Sequence, residues 1–199
     1  MKIGYAVQGS TDRAFLRGLK KRWCPDAAMV EGLFRGSTGL SLRRELAKIC
    51  DDLFKQKACD VLVFLSDADS ANWRDVRLNE LQKLPEDIRS LTVYGIADRN
   101  VECWLCADQK YVASRTGRRA EEFRVDDPKR VFESGIGITR DEKKEDEIVA
   151  LIKDATLDVL KRWLDNRSFQ DFYDQLRAVS KQRECEIENL RASAREQIG

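Results

Sequence analysis

The chain contains no histidine in 199 residues. This excludes every mechanism that needs an imidazole: Ser-His-Asp hydrolysis, Cys-His proteolysis, histidine-dependent nucleases and histidine-ligated zinc. Catalysis, if present, rests on carboxylates, amines, thiols or a metal held by oxygen. Charge of one sign is also missing, since 36 Lys and Arg against 35 Asp and Glu leave a net +1. A protein that coats polyanions by bulk charge is thereby excluded, and only a local basic face remains open. No apolar run approaches the roughly 18 residues needed to span a membrane. Six cysteines are too few for a disulfide scaffold. The N-terminus Met1-Lys2-Ile3-Gly4-Tyr5 lacks the basic-then-apolar pattern of a signal peptide, so a cytoplasmic, reduced protein is expected.

What is present is enough apolar residue for a sizeable core, 42% of the chain, within the length of one domain. The single CxxC, Cys103-Trp104-Leu105-Cys106, has no second closely spaced pair to complete a zinc site. Its apolar middle favours a buried structural pair over an exposed redox pair.

Strand and helix signals alternate through the first half. Ile3–Val7 reads as a buried strand, followed by a helix capped at Ser10 or Thr11 that carries Phe15, Leu16, Leu19 and Trp23 at helical spacing. A weak strand spans Ala28–Phe34. Leu42, Leu46, Ile49, Cys50 and Leu53 mark the next helix. Val61–Leu65 is an uninterrupted apolar run, the signature of a parallel strand covered on both faces. Trp73, Val76 and Leu81 belong to a helix ended by Pro85, and Leu91–Ala97 is a fourth strand. This βαβαβαβ order predicts an α/β fold, a Rossmann-like, mostly parallel sheet with helices on both faces. After Asp98 come a helix through Val101, Trp104 and Leu105 and a polar, Arg-rich stretch, 114–130. Ile148, Ile152, Ala155, Val159 and Trp163 predict one continuous helix, and Phe169 to Val179 another. The tail, including Cys185, reads as charged and helix-prone. The expected organisation is an α/β core over 1–110 and a C-terminal helical extension over 111–199 packed on it as one compact unit.

In a parallel sheet, ligands gather at the carboxyl ends of the strands. Three strand ends carry polar residues there: Gln8-Gly9-Ser10-Thr11-Asp12, Asp67-Ala68-Asp69, and Asp98-Arg99-Asn100 with Glu102 following. Asp67 and Asp69 repel one another unless a cation lies between them, which points to Mg²⁺ or Mn²⁺ held by oxygen. In the alternative reading Asp69 or Ser70 caps the next helix and Asp67 is a turn residue. Asp12 and Glu102 on the same edge favour the metal. Two basic groups, Arg13, Arg17 and Lys20 on the first helix and Arg115, Arg118, Arg119 and Arg124 in the second half, offer phosphate contacts for nucleic acid. The alternative for both is a solvated or salt-bridged face. Gly36-Ser37-Thr38-Gly39 is a plain loop, because no lysine follows to make a phosphate-binding motif.

Gln8-Gly9-Ser10-Thr11-Asp12 resembles the acid-Gly-x-Thr-acid motif of Toprim domains, and Asp67-Ala68-Asp69 resembles their Asp-x-Asp motif. The stretch from Asn100 to Asp108, Asp127-Pro128-Lys129, and Arg167 to Phe172 resemble one branch of stand-alone bacterial Toprim-like proteins. These are often encoded beside an ATPase in defence or restriction neighbourhoods and are related to the overcoming-lysogenisation-defect nucleases. The resemblance runs from the first strand to about Leu176. It implies Mg²⁺-dependent phosphodiester chemistry on DNA, with Asp67 and Asp69 as metal ligands, Asp12 as the second acid of the first motif and Glu102 at or beside the metal. It also implies an ATPase partner. The chain departs from the pattern at Gln8, where the family has glutamate: an amide neither accepts a proton nor adds negative charge. A nuclease is the first expectation, a decayed regulatory partner of an ATPase the second. A nucleotide-binding enzyme on a similar sheet is weaker, because no glycine-rich loop follows a strand with the right spacing.

Overall fold

The computed structural model describes residues 1–36, 38–68, 72–136, 141–181 and 185–192. The elements are β1 (Lys2–Val7), α1 (Ser10–Trp23), β2 (Ala28–Glu31), α2 (Gly39–Asp51) running into a π-helical turn (Asp52–Gln56), β3 (Val61–Asp67), α3 (Trp73–Gln82), α4 (Glu86–Arg89), β4 (Thr92–Ala97), α5 (Val101–Leu105) and α6 (Gln109–Thr116). A 3₁₀ turn (Ala120–Phe123) leads to α7 (Lys129–Ile136), α8 (Asp141–Asp154), α9 (Leu157–Trp163) and α10 (Arg167–Ser180).

The expected α/β architecture is present. The four strands form one all-parallel sheet in the order β2-β1-β3-β4. Alternate strand residues divide into two apolar layers, as the two-residue period of a strand requires. Tyr5, Val7, Val61, Val63, Leu65 and Val93 face a layer built with α1, α5, α8, α9 and α10. Ala6, Leu62, Phe64, Tyr94 and Ile96 face a layer built with α2, α3 and α4. The first layer contains the aromatic cluster Phe15, Trp104, Trp163, Phe169 and Phe172, with ring centroids 5.5 to 6.4 Å apart. Residues from both halves of the chain thus share one core.

Close approach explains two glycines. A Cβ on Gly18 in α1 would lie 2.7 Å from Ile152 Cβ of α8, and one on Gly95 in β4 would lie 2.6 Å from Phe172 of α10. The helices pack directly on these backbones. α10 also closes the outer edge of β4: Tyr94 N–H donates to Gln175 Oε1 at 3.0 Å, and Gln175 Nε2 donates to the Tyr94 carbonyl at 3.3 Å.

Several local expectations are corrected. The second strand stops at Glu31 rather than Phe34: its register with β1 ends at Tyr5 opposite Glu31, and Gly32 N–H makes the last bond, to the Tyr5 carbonyl. Gly9, not Ser10 or Thr11, is the N-cap of α1, and its N–H donates to Asp12 Oδ2 at 2.9 Å. The helix after β3 is capped by Asn72, whose Oδ1 accepts from Arg74 N–H at 3.0 Å. The apolar repeat from Ile148 to Trp163 is two helices, because Thr156 takes an extended conformation and caps α9. Residues 185–189 are irregular rather than helical. Cys185 is joined to Cys24 in a disulfide, against the expectation of six reduced cysteines. No helix among the described residues is long and apolar enough to cross a membrane.

Candidate functional site

The strand order places the site. The chain leaves β1 toward β2 on one side and returns to β3 on the other, so a crevice opens at the carboxyl ends of β1 and β3. Val7 is opposite Leu65, and the next residue, Gln8, donates its N–H to the Leu65 carbonyl at 3.3 Å. Its side chain crosses to the tip of β3. Gln8 Oε1 accepts from Asp67 N–H at 3.1 Å, and Gln8 Nε2 donates to Asp67 Oδ2 at 3.5 Å. Arg43 of α2 holds the same tip from the other face through the Asp67 carbonyl, at 3.1 Å.

Asp12 projects from the first turn of α1 and Glu102 from the first turn of α5; both are nearly inaccessible. Gln8, Asp12, Asp67 and Glu102 line one cavity of about 200 Å³. Four of the five residues expected from sequence therefore converge; the fifth, Asp69, lies outside the described residues. Burial first, then repulsion from Asp67 and Glu102, holds the Asp12 carboxyl well above the usual carboxylate range. Burial also raises Glu102, against the pull of Lys129.

Lys129, Glu133 and Lys144 line the same cavity and were not among the residues expected there. A chain of hydrogen bonds sets Lys129 in place. Asn100 caps α5 by accepting from Cys103 N–H at 3.1 Å, and its Nδ2 donates to Asp127 Oδ1 at 3.0 Å. The same Asp127 oxygen accepts from Lys129 N–H at 3.1 Å. These two donors hold the Asp127 carboxyl below its ordinary value. Burial works against the Lys129 ammonium, but Glu102, Asp67, Glu133 and Asp12 together raise it above its ordinary value. Lys144 pairs with Glu133 at 3.2 Å. The signal for Lys129 was in the sequence, as the last residue of Asp127-Pro128-Lys129.

The basic residues expected to grip nucleic acid are occupied with carboxylates and carbonyls. Arg13 binds Glu31 and Glu145, both at 3.0 Å, and Arg17 binds Glu145 at 2.9 Å, tying α1 to β2 and α8. Lys20 donates to the Pro25 carbonyl. In the second half, Arg115 pairs with Asp154 at 3.3 Å, Arg118 reaches Ser134 and Glu122, and Arg119 pairs with Glu122. Arg124 donates to Gln109 Oε1 at 3.2 Å, and none of these seven residues lines the acidic cavity. Cys103 is half-buried and Cys106 buried, and burial pushes the Cys103 thiol up to about 11, so the pair is placed as structural cysteines.

Beside the Gln8 amide and the Lys129 and Lys144 ammoniums, the cavity presents the carboxylates of Asp12, Asp67, Glu102 and Glu133, the oxygen donors that hard divalent cations take. Among the described residues no three His, Cys, Asp or Glu form a group that could hold an ion by themselves. Mg²⁺ does not require such a cage: it keeps several waters and takes one or two carboxylates plus substrate phosphates. The donor chemistry fits the ion in that form. No protein-family model, curated protein or solved structure matches this chain.

Proposed function

We propose that the protein is a Toprim-like, Mg²⁺-dependent phosphodiester-cleaving enzyme or nuclease-derived subunit that acts on DNA. The observation that carries this reading is the convergence of Gln8, Asp12, Asp67 and Glu102 on one cavity at the switch point of a parallel sheet. Buried, mutually repelling carboxylates there are stabilised by a cation. Asp67 and Glu102 would hold it, with Asp69 as the further ligand expected from the Asp-x-Asp motif. Bound there, Mg²⁺ would supply Lewis-acid polarisation of a phosphate oxygen and an oriented water more acidic than bulk water. Lys129 lines the same cavity and would face a non-bridging phosphate oxygen as a point charge. Gln8 fixes the tip of β3 and takes no proton, so the scheme contains no general base at that position. Location in the cytoplasm, a role in a defence or DNA-processing system and an ATPase partner are further parts of the proposal; they rest on the resemblance.

Incubation of supercoiled plasmid and single-stranded DNA with the protein in Mg²⁺ or Mn²⁺ tests the reading. Nicking or degradation by the wild type, abolished in Asp67→Ala/Asp69→Ala, is expected. Equal cleavage by the double variant overturns the site.

A second reading is favoured by the Gln8–Asp67 pairing itself, in which the amide already bonds the Asp67 N–H and one of its carboxylate oxygens without any cation. In it the protein is a decayed Toprim-like regulator of an ATPase. An inert wild type, with cleavage gained in Gln8→Glu, selects this reading.

A further inference from the structure

Cys24, the C-cap of α1, and Cys185 are bonded with their Cα atoms 5.1 Å apart across 161 residues of sequence. The segment that follows Cys185 is irregular and lies along α1 and α10. Glu188 accepts from Trp23 Nε1 and from Arg22 Nη2, each at 2.8 Å. The Tyr173 hydroxyl donates to the Glu188 carbonyl at 2.7 Å and accepts from Leu190 N–H at 2.8 Å. Leu190 is buried in the core, and Ile187 closes a small apolar cavity of about 50 Å³ against Leu16, Leu19, Trp23, Val63 and Leu176. Residues 185–192 therefore form a strap over the seam between α1 and α10.

We propose that Cys24–Cys185 is a redox-operated clasp: oxidised, it fastens the strap over the seam; reduced, it lets the strap lift and expose the apolar groove beneath. A segment without helix or strand bonds gives up conformational entropy at every ordered residue. Its non-covalent ties include two ion pairs, Arg22–Glu188 and Arg191–Asp174, and in both the carboxylate is partly exposed, which limits what each contributes. The covalent link turns strap docking into a local event at high effective concentration. Cys24 and Cys185 are both half-buried residues rather than members of the sealed core. The other four cysteines are poor competitors, because burial pushes Cys50 up to about 12, Cys103 up to about 11, and Cys59 and Cys106 upward as well.

The exchange balances with a glutathione-type disulfide as oxidant. One cysteine thiolate attacks it and releases one glutathione thiolate. The second cysteine then displaces the other from the mixed disulfide, and the two thiol protons pass to the released glutathiones. In a reducing cytoplasm the clasp is open at rest and closes on oxidative challenge. The inference stands apart from the phosphodiester reading and its test does not use nuclease activity.

The full chain is equilibrated across a series of reduced-to-oxidised glutathione ratios, alkylated and digested for peptide mass spectrometry. In parallel, the native protein receives a brief trypsin pulse. The expected result is a cross-linked pair of peptides, 23–35 with 184–191, appearing with oxidant. Cleavage after Lys181 and Arg191 should be at least about tenfold faster in the reduced protein, because proteolysis follows the open population. Cys24→Ser should digest like the reduced wild type under all ratios; Cys185→Ser serves the same purpose should Cys24→Ser fail to fold. Absence of the cross-linked peptides at every ratio, or equal digestion of oxidised and reduced protein, overturns the clasp.

Discussion

Gln8 and Asp67 hold each other across the tips of β1 and β3, the amide oxygen on the Asp67 N–H at 3.1 Å and the amide nitrogen on the Asp67 carboxylate at 3.5 Å. A glutamate at position 8 keeps the first bond and turns the second into a carboxylate–carboxylate contact. In Gln8→Glu the apo protein should therefore lose about 1–2 kcal/mol of stability. Mg²⁺ should restore it, since a cation between two carboxylates replaces the lost donor. Thermal melts with and without Mg²⁺ check this: the Mg²⁺-induced rise in Tm should be larger in the variant than in the wild type. An equal rise in both would mean that residue 8 does not face the ion.

Asp12 makes stability depend on pH in a defined direction. Its carboxyl titrates near 3.8 in the unfolded chain and well above that when folded, through burial and the charges of Asp67 and Glu102. Between those two values the native state keeps a proton that the unfolded state has lost. Stability therefore falls as pH climbs through that window, and the penalty is absent below 3.8. Asp12→Asn removes the penalty and keeps an oxygen for the Gly9 N–H. Urea unfolding should show the variant gaining on the wild type as pH rises from 4 to 8 without added metal. A difference that shrinks with rising pH would refute the assignment.

The strands were readable because Val61–Leu65 and Ile3–Val7 are buried on both faces, which forces continuous apolar runs, and because polar residues interrupt such runs only where the strands end. Gln8, Asp12, Asp67 and Glu102 were found that way. Lys129, Glu133 and Lys144 arrive from α7 and α8, elements with no strand tip to mark them, and their approach is a product of tertiary packing. The partners of Arg13 and Arg17 were hidden for the same reason: Glu145 is 132 and 128 residues away. The break at Thr156 is silent in the apolar pattern because both helices keep the same face inward, and only the capping hydroxyl marks it. Nothing in the spacing of Cys24 and Cys185 announces a bond across 161 residues.

Gly18 sits in the middle of α1, where helix propensity alone makes alanine better by about 1 kcal/mol. The structure reverses that sign. A Cβ there would lie 2.7 Å from Ile152 Cβ and 2.8 Å from its Cδ1, too close for either helix to accommodate without moving. Gly18→Ala should destabilise by about 1–3 kcal/mol, the usual cost of overpacking. Ile152→Ala should cost less in the Gly18→Ala background than in the wild type, because the new methyl fills part of the space. Additive losses in chemical denaturation of the four proteins would show that α1 and α8 do not meet at this point.

The outer edge of β4 is a row of backbone groups that would invite another strand. Gln175 meets it with a side-chain amide that accepts from the Tyr94 N–H and donates to the Tyr94 carbonyl, as a neighbouring strand would. Its position is fixed by Phe172, one turn earlier on α10, packed over Gly95, and by a 2.8 Å bond from its own Nε2 to Asp171. Gln175→Ala removes both partners of Tyr94 at once and leaves a shielded N–H without an acceptor. The expected cost is about 1–3 kcal/mol by urea unfolding. Gln175→Glu separates the two bonds, since its carboxylate still accepts from the Tyr94 N–H but repels the carbonyl and Asp171. It should fall between wild type and Gln175→Ala at pH 5 and approach Gln175→Ala at pH 8. If α10 is the seal rather than a bystander, the alanine variant should also associate at high concentration, read by light scattering. A fully stable, monodisperse Gln175→Ala would mean that the edge is protected by Phe172 and the bulk of α10 alone.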